Sequence, residues 1–207
     1  MTDASSLAHL SGILEFLRAA ERLKVTTRSA YTSDGAPESV AEHSWRLCLM
    51  ALVLREEFPD VDIARLVAMC VVHDLGEAIG GDVPAPEQAR RLASDPTARK
   101  AAQEREDLLT LVAPLPEKVR GEITALWDEY EAASSREARV AKALDKLETI
   151  LQHTQGENPP DFDYRFNLGY GRAFTAGHPA IVRLREMLDE ETLRRAGTAS
   201  APTSTRH

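Results

Sequence analysis

The sequence predicts an all-α protein built as a single domain, and three observations predict it. Alanine, leucine, glutamate and arginine are abundant while aromatic residues make up only 5% of the chain, a mix that favours helices over strands. Apolar residues recur at helical spacing in one segment after another. No stretch carries the apolar–polar alternation of a convincing strand, and no internal repeat is found.

With 207 residues the chain is long enough for one sizeable hydrophobic core. The expected organisation is a flexible N-terminus over 1–6, one domain over 7–195 and a small, polar, disordered tail over 196–207. A formal net charge of −8 argues against non-specific binding to nucleic acid or an anionic membrane. Any phosphate-bearing ligand must therefore meet locally placed positive charge. The N-terminus lacks a basic segment followed by an apolar run, and no apolar run is long enough to span a bilayer, so a cytosolic protein is expected. Cys48 and Cys70 sit in apolar helical stretches and read as buried thiols, not as a disulfide framework.

Leu7, Leu10, Leu14, Leu17 and, after a wider gap, Leu23 predict a first helix. A polar stretch follows from Lys24 to Pro37 and contains Asp34-Gly35, a turn signal. Ser39-Val40-Ala41-Glu42 matches a capping box, and Val40, His43, Leu47, Met50 and Leu54 then fall on one helix face. Residues 60–72 predict a second core helix, apolar over much of its circumference. Gly80 to Pro86 reads as a loop. Two amphipathic helices, 97–112 and 117–133, are split by Pro114 and Pro116. A helix over 136–153, a long loop over 155–177 and a last helix from Pro179 to about Arg195 complete the chain.

Four positions could hold a metal ion. His43 lies on the apolar face of its helix, where an imidazole needs a partner; taken alone, it reads as a core histidine bonded to a carbonyl. His73-Asp74 follows a buried helix, and two adjacent side chains about 100° apart can converge on an ion between them. Glu77 is four residues after His73 and three after Asp74, on the same side. Asp145 is aligned with Ala138 and Ala141, off the apolar stripe of Val140, Leu144, Leu147 and Leu151; periodicity alone reads it as a solvated carboxylate paired with Lys142 or Lys146. Together the four offer two imidazoles and two carboxylates, a set that suits one divalent ion such as Mn²⁺, Co²⁺, Fe²⁺ or Zn²⁺. His9, His153, His178 and His207 read as surface or capping residues.

The ordered set His43, His73-Asp74, Asp145 resembles the HD-domain superfamily of metal-dependent phosphohydrolases. Pro37 to His43, Val72 to Glu77, Gly81 to Pro86, Leu126 to Glu131 and Ala143 to Glu148 are similar to its 5′-deoxynucleotidase branch. The resemblance covers roughly residues 10–192. It implies an all-helical, HD-type single domain, commonly a homodimer, that removes the 5′-phosphate of deoxynucleoside monophosphates. His43, His73, Asp74 and Asp145 match the metal ligands. Glu77 and Asp82 match the acidic pair that handles water and leaving group. Arg28, in Thr27-Arg28-Ser29-Ala30-Tyr31, matches the phosphate-binding arginine, with Arg22 as the alternative. Ala30 stands where glycine is usual, and Tyr31 where the family places a tryptophan near the sugar. Oxygenases of the same fold need further histidines before the last aspartate, and none lies between Asp74 and Asp145. A phosphohydrolase acting on another small ester and a non-catalytic helical metal-binding scaffold are the other readings.

Overall fold

The helix over Arg136–Gln155 (α7) organises the protein. It starts where the Ser135 side chain accepts a hydrogen bond from the Ala138 amide, which satisfies one of the unpaired donors of the first turn. Val140, Leu144, Leu147 and Ile150 carry its apolar face into a cluster with Leu47, Leu66 and Met69. Its other face, with Asp145, Glu148, Thr149, Gln152 and His153 at core-like spacing, is buried as well. A helix enclosed on both faces needs neighbours all round.

Those neighbours are α2 (Val40–Val53), α3 (Ile63–Val72), α6 (Glu117–Ala132) and α9 (Pro179–Ala199), with strand β1 (Thr27–Tyr31) on the polar side. Among the described residues the remaining elements are α1 (Thr2–Ala20), β2 (Pro37–Ser39), α4 (Glu77–Gly80), α5 (Ala98–Val112) and α8 (Phe166–Gly169), with short 3-10 turns at Glu21–Lys24 and Arg55–Glu57. The computed structural model describes residues 2–83, 87 and 98–199. A second apolar cluster joins Leu108, Leu111 and Val112 of α5 to Trp127 of α6, Val40 and Val72. Among the described residues no helix is long and apolar enough to cross a membrane.

Four expectations are corrected. The polar stretch before α2 is not a simple loop: β1 and β2 pair antiparallel, with Thr27 opposite Ser39 and Tyr31 opposite Pro37. The Asp34-Gly35 turn joins them, with Gly35 at φ 82°, and strands of five and three residues are too short to show alternation. α9 runs to Ala199, beyond the expected end near Arg195; residues 200–207 and Pro84 to Pro86 lie outside the described residues. The 155–177 loop contains α8. His153 is not a surface cap: it is buried and its Nδ1 lies 2.7 Å from Asn167 Oδ1. His178 does act as a cap, accepting from the Ala180 amide at 3.3 Å.

Burial brings the His153 pKa down to about 4 from 6.5, although the bond to Asn167 opposes the shift. The unfolded chain therefore takes up this proton first. The stability it contributes is present above pH 6.5 and is lost as the pH falls through about 4, amounting to about 3 kcal/mol at about 1.4 kcal/mol per unit. In chemical denaturation between pH 7 and pH 4, the wild-type chain should lose about 3 kcal/mol more than His153→Gln. Equal losses in the two proteins would refute a buried neutral imidazole.

Candidate metal centre and its cavity

Each candidate ligand enters from a helix whose position is locally fixed. The expected capping box at α2 is present, with the Glu42 amide on Ser39 Oγ at 3.2 Å and the Ser39 amide on Glu42 Oε2 at 2.7 Å. Strand β2 runs directly into this cap, so the hairpin and the His43 helix start form one unit. His73 caps α3, donates from Nδ1 to the Cys70 carbonyl at 2.8 Å, and receives on its own carbonyl the Trp127 indole N–H at 3.0 Å. Asp145 comes from the buried polar face of α7.

The three helices bring these groups together. Ligand atoms of His43, His73 and Asp145 lie within 4.8 Å of one another, all buried. His43 Nε2 is 3.3 Å from Asp145 Oδ1 and 3.8 Å from Asp74 Oδ2, and His73 Nε2 is 2.9 Å from Asp74 Oδ2. Neither Nε2 has a hydrogen-bond partner, although both are buried. Two orphaned imidazole nitrogens facing two carboxylates fit a divalent cation, because each otherwise carries the full cost of an unmade bond. Asp145 is prepared for the same role: Tyr130 Oη at 2.9 Å and Lys146 Nζ at 2.8 Å both engage Oδ2, leaving Oδ1 toward His43. The solvated-aspartate reading is thus corrected, while its Lys146 pairing is present.

Sequence reasoning missed Glu148. It is fully buried, and His43 donates its Nδ1 proton to Glu148 Oε2. That bond fixes the tautomer that presents the Nε2 lone pair to the cluster. Arg46 holds the other oxygen, with Nε at 2.7 Å and Nη2 at 2.6 Å from Oε1. Glu38, His43 and Glu148 also lie close enough to share an ion. Arg28 and Arg46 already neutralise that group, with Arg28 Nη1 2.8 Å from Glu38 Oε2 and 3.6 Å from Glu148 Oε2. Burial and Arg28 disfavour a proton on His43, yet Glu148 and Asp145 outweigh them and raise its pKa to about 9. The cluster attracts positive charge.

A cavity of about 370 Å³ opens beside the cluster, lined by Arg28, His73, Asp74, Glu77, Asp82 and Asp145 among others. Arg28 reaches its wall from β1, held by Glu38 and by Thr149 Oγ1 at 3.0 Å. Arg22 is exposed on the turn Glu21–Lys24, away from the described lining. Tyr31 is also absent from that lining, and its carbonyl accepts from the Gln152 side chain. Burial, then Asp74 and Asp82, raise the Glu77 pKa to about 10; burial and Asp74 also raise that of Asp82, against Arg28.

Glu148→Gln should keep the helical fold but lower the affinity for Mn²⁺ by about 10- to 100-fold in calorimetric titration. Undiminished affinity in a folded variant would remove Glu148 from the centre. His73→Ala and Asp74→Ala should abolish that binding with circular dichroism largely retained.

Comparison with known proteins places the chain in a family. Residues 20–182 match the HD domain family. The chain is 37% identical to 5′-deoxynucleotidase HDDC2 of Bos taurus over 99% of this chain and 100% of that one. It is 35% identical to the Homo sapiens protein of the same name, over 93% and 92%. A solved structure described as a predicted metal-dependent phosphohydrolase from Magnetospirillum magnetotacticum superimposes with a TM-score of 0.75 at 27% identity, covering 94% of this chain and all of that one. By sequence and by fold, the chain belongs to the HD-domain family.

Proposed function

We propose that this chain is a phosphohydrolase, dependent on one divalent cation, that removes the 5′-phosphate of deoxynucleoside monophosphates to give nucleoside and phosphate. The observation that carries this reading is one cavity lined at once by His73, Asp74 and Asp145 of the cluster, the half-buried Arg28 and two carboxylates outside the cluster, Glu77 and Asp82. The names of the HDDC2 relatives supply the substrate class.

His43, His73, Asp74 and Asp145 would hold the ion. Bound there, it supplies a Lewis acid that acidifies water and offsets phosphate charge. The rest belongs to the chain. Arg28 offers a planar fork to two phosphate oxygens, and Glu38 and Thr149 hold that fork in place before substrate arrives. Phosphoryl transfer asks mainly for such positioning and charge stabilisation. Glu77, one turn beyond Asp74, orients or deprotonates the attacking water. Its raised pKa means that it serves as a base only while positive charge occupies the neighbouring cluster. Asp82, whose pKa is also raised, delivers a proton to the departing 5′-oxygen.

The free thiols Cys48 and Cys70 suit the reducing cytoplasm. A homodimer is supported by α1, whose Leu7, Leu10, Leu14 and Leu17 stay more than half exposed while Ile13 and Phe16 pack inward. Leucines at this heptad spacing suit a facing helix. Sedimentation at the mass of one chain would refute the dimer.

With Mn²⁺ or Co²⁺ the protein should release phosphate from deoxynucleoside 5′-monophosphates and far less from 3′-monophosphates; equal rates would sink the assignment. Arg28→Ala should weaken turnover and substrate binding with cation content intact, whereas Arg22→Ala should do little. Asp82→Asn should harm nucleotide hydrolysis more than hydrolysis of an aryl phosphate, whose leaving group needs no proton. Glu77→Gln should harm both alike. The reverse pattern would exchange the two roles.

A further inference from the structure

The cavity extends past the cluster to a wall that the chemistry above leaves unused. Tyr130 links the two regions: its hydroxyl is on Asp145, and Lys142 Nζ sits 4.4 Å above its ring. The same Nζ is 5.6 Å from the Phe174 ring. Lys142 pairs with Glu131 at 2.8 Å, and Lys142, Glu131, Tyr170 and Phe174 all line the cavity. We infer that this wall is the subsite for the nucleobase and that Phe174 is the specificity-determining residue that stacks on it. The inference rests on the nucleotide reading and deepens it.

Two independent features support the assignment. Phe174 leaves 42% of its surface exposed and stands between this cavity and a neighbouring apolar one lined by Val140, Ala143 and Ile181. An aromatic face open to a polar cavity is a place for another π-system. The turn that presents it is also rigidly built. Gly171 has φ 67°, and its amide neighbours close the turn, with the Phe174 amide on the Gly171 carbonyl at 3.0 Å and the Thr175 amide at 3.2 Å. A Cβ at position 171 would lie 2.6 Å from Lys146 Cβ, so only glycine lets the turn sit against α7. Behind it, the buried Arg185 donates to the carbonyls of Tyr170 at 2.6 Å, Asn167 at 2.7 Å and Leu168 at 3.0 Å. An exposed ring on a flexible loop would have to be ordered by each ligand; this one is ordered in advance.

Stacking is tolerant of base identity because every base has a π-face. The Glu131–Lys142 pair adds one acceptor and one donor beside it, for polar groups on the base edge. The subsite therefore separates nucleotides from base-less sugar phosphates more sharply than one base from another.

The test compares dAMP with 2-deoxyribose 5-phosphate, which shares the leaving 5′-oxygen and lacks the base. Both are assayed with Mn²⁺ on the wild-type chain, Phe174→Ala and Phe174→Trp. The wild-type chain should prefer dAMP. Phe174→Ala should reduce the ratio of the two kcat/KM values about tenfold, mainly through KM for dAMP, and Phe174→Trp should restore it. An unchanged ratio in Phe174→Ala, in a setting where the wild-type chain hydrolyses dAMP, would overturn the subsite and leave the nucleotidase reading standing. A wild-type chain that releases phosphate from neither ester would overturn that reading, and the subsite with it.

Discussion

Burial of the polar face of α7 is the constraint from which the rest of the site follows. Asp145, Glu148, Thr149, Gln152 and His153 recur at the spacing that normally carries leucines, and all are enclosed. A buried carboxylate without partners is far too costly to persist. The surrounding elements supply those partners. The β1–β2 hairpin delivers Arg28 and Glu38, α2 delivers His43 and Arg46, and α6 delivers Tyr130. His153 meets Asn167 of α8, and Gln152 meets the backbone of β1. The hairpin has little apolar surface of its own, so its docking depends on this polar face.

The same requirement makes the centre electron-rich. Carboxylates of Glu38, Asp74, Asp145 and Glu148 converge there, and Arg28, Arg46 and Lys146 answer only part of that charge. The unanswered part is localised where His43 and His73 leave their Nε2 atoms without partners. Arginines fill the Glu38–Glu148 side, whereas on the other side His73 and Asp74 face each other at 2.9 Å. That asymmetry is why one of two neighbouring ligand-like groups suits a cation and the other is a support for it.

Much of the fold could be read from the sequence because helices announce themselves locally. The Ser39 capping box, the Pro179 start and the bounds of α5 and α6 all rest on local rules. The hairpin could not be read, because its stability comes from α7 and not from its own alternation. The four proposed ligands were found by order and resemblance, and periodicity argued against Asp145 because a charged face normally means a solvated one. The informative signal was available there: Asp145, Glu148, Thr149, Gln152 and His153 follow i, i+3, i+4, i+7 and i+8, the pattern of a buried stripe written in polar residues. Read that way, Glu148 and His153 would have joined Asp145 as interior groups.

Glu148 also sets the relation between the two halves of the proposed site. One of its oxygens receives the His43 Nδ1 proton and lies 3.6 Å from Arg28 Nη1, while the other is clamped by Arg46. The proposed cation ligand His43 and the proposed phosphate-binding Arg28 are therefore both referenced to a single buried carboxylate on the central helix. A 1 Å error between cation and guanidinium would weaken both grips on one phosphate, since each acts over a short range in a low-dielectric site. Fixing both to Glu148 removes that freedom before substrate binds, so the charge stabilisation requires no reorganisation when the phosphoryl group transfers. The cavity wall around Gly171 is held separately, by Arg185 and by the close approach of Gly171 to Lys146, so it can shape which ester enters without disturbing the centre that acts on it.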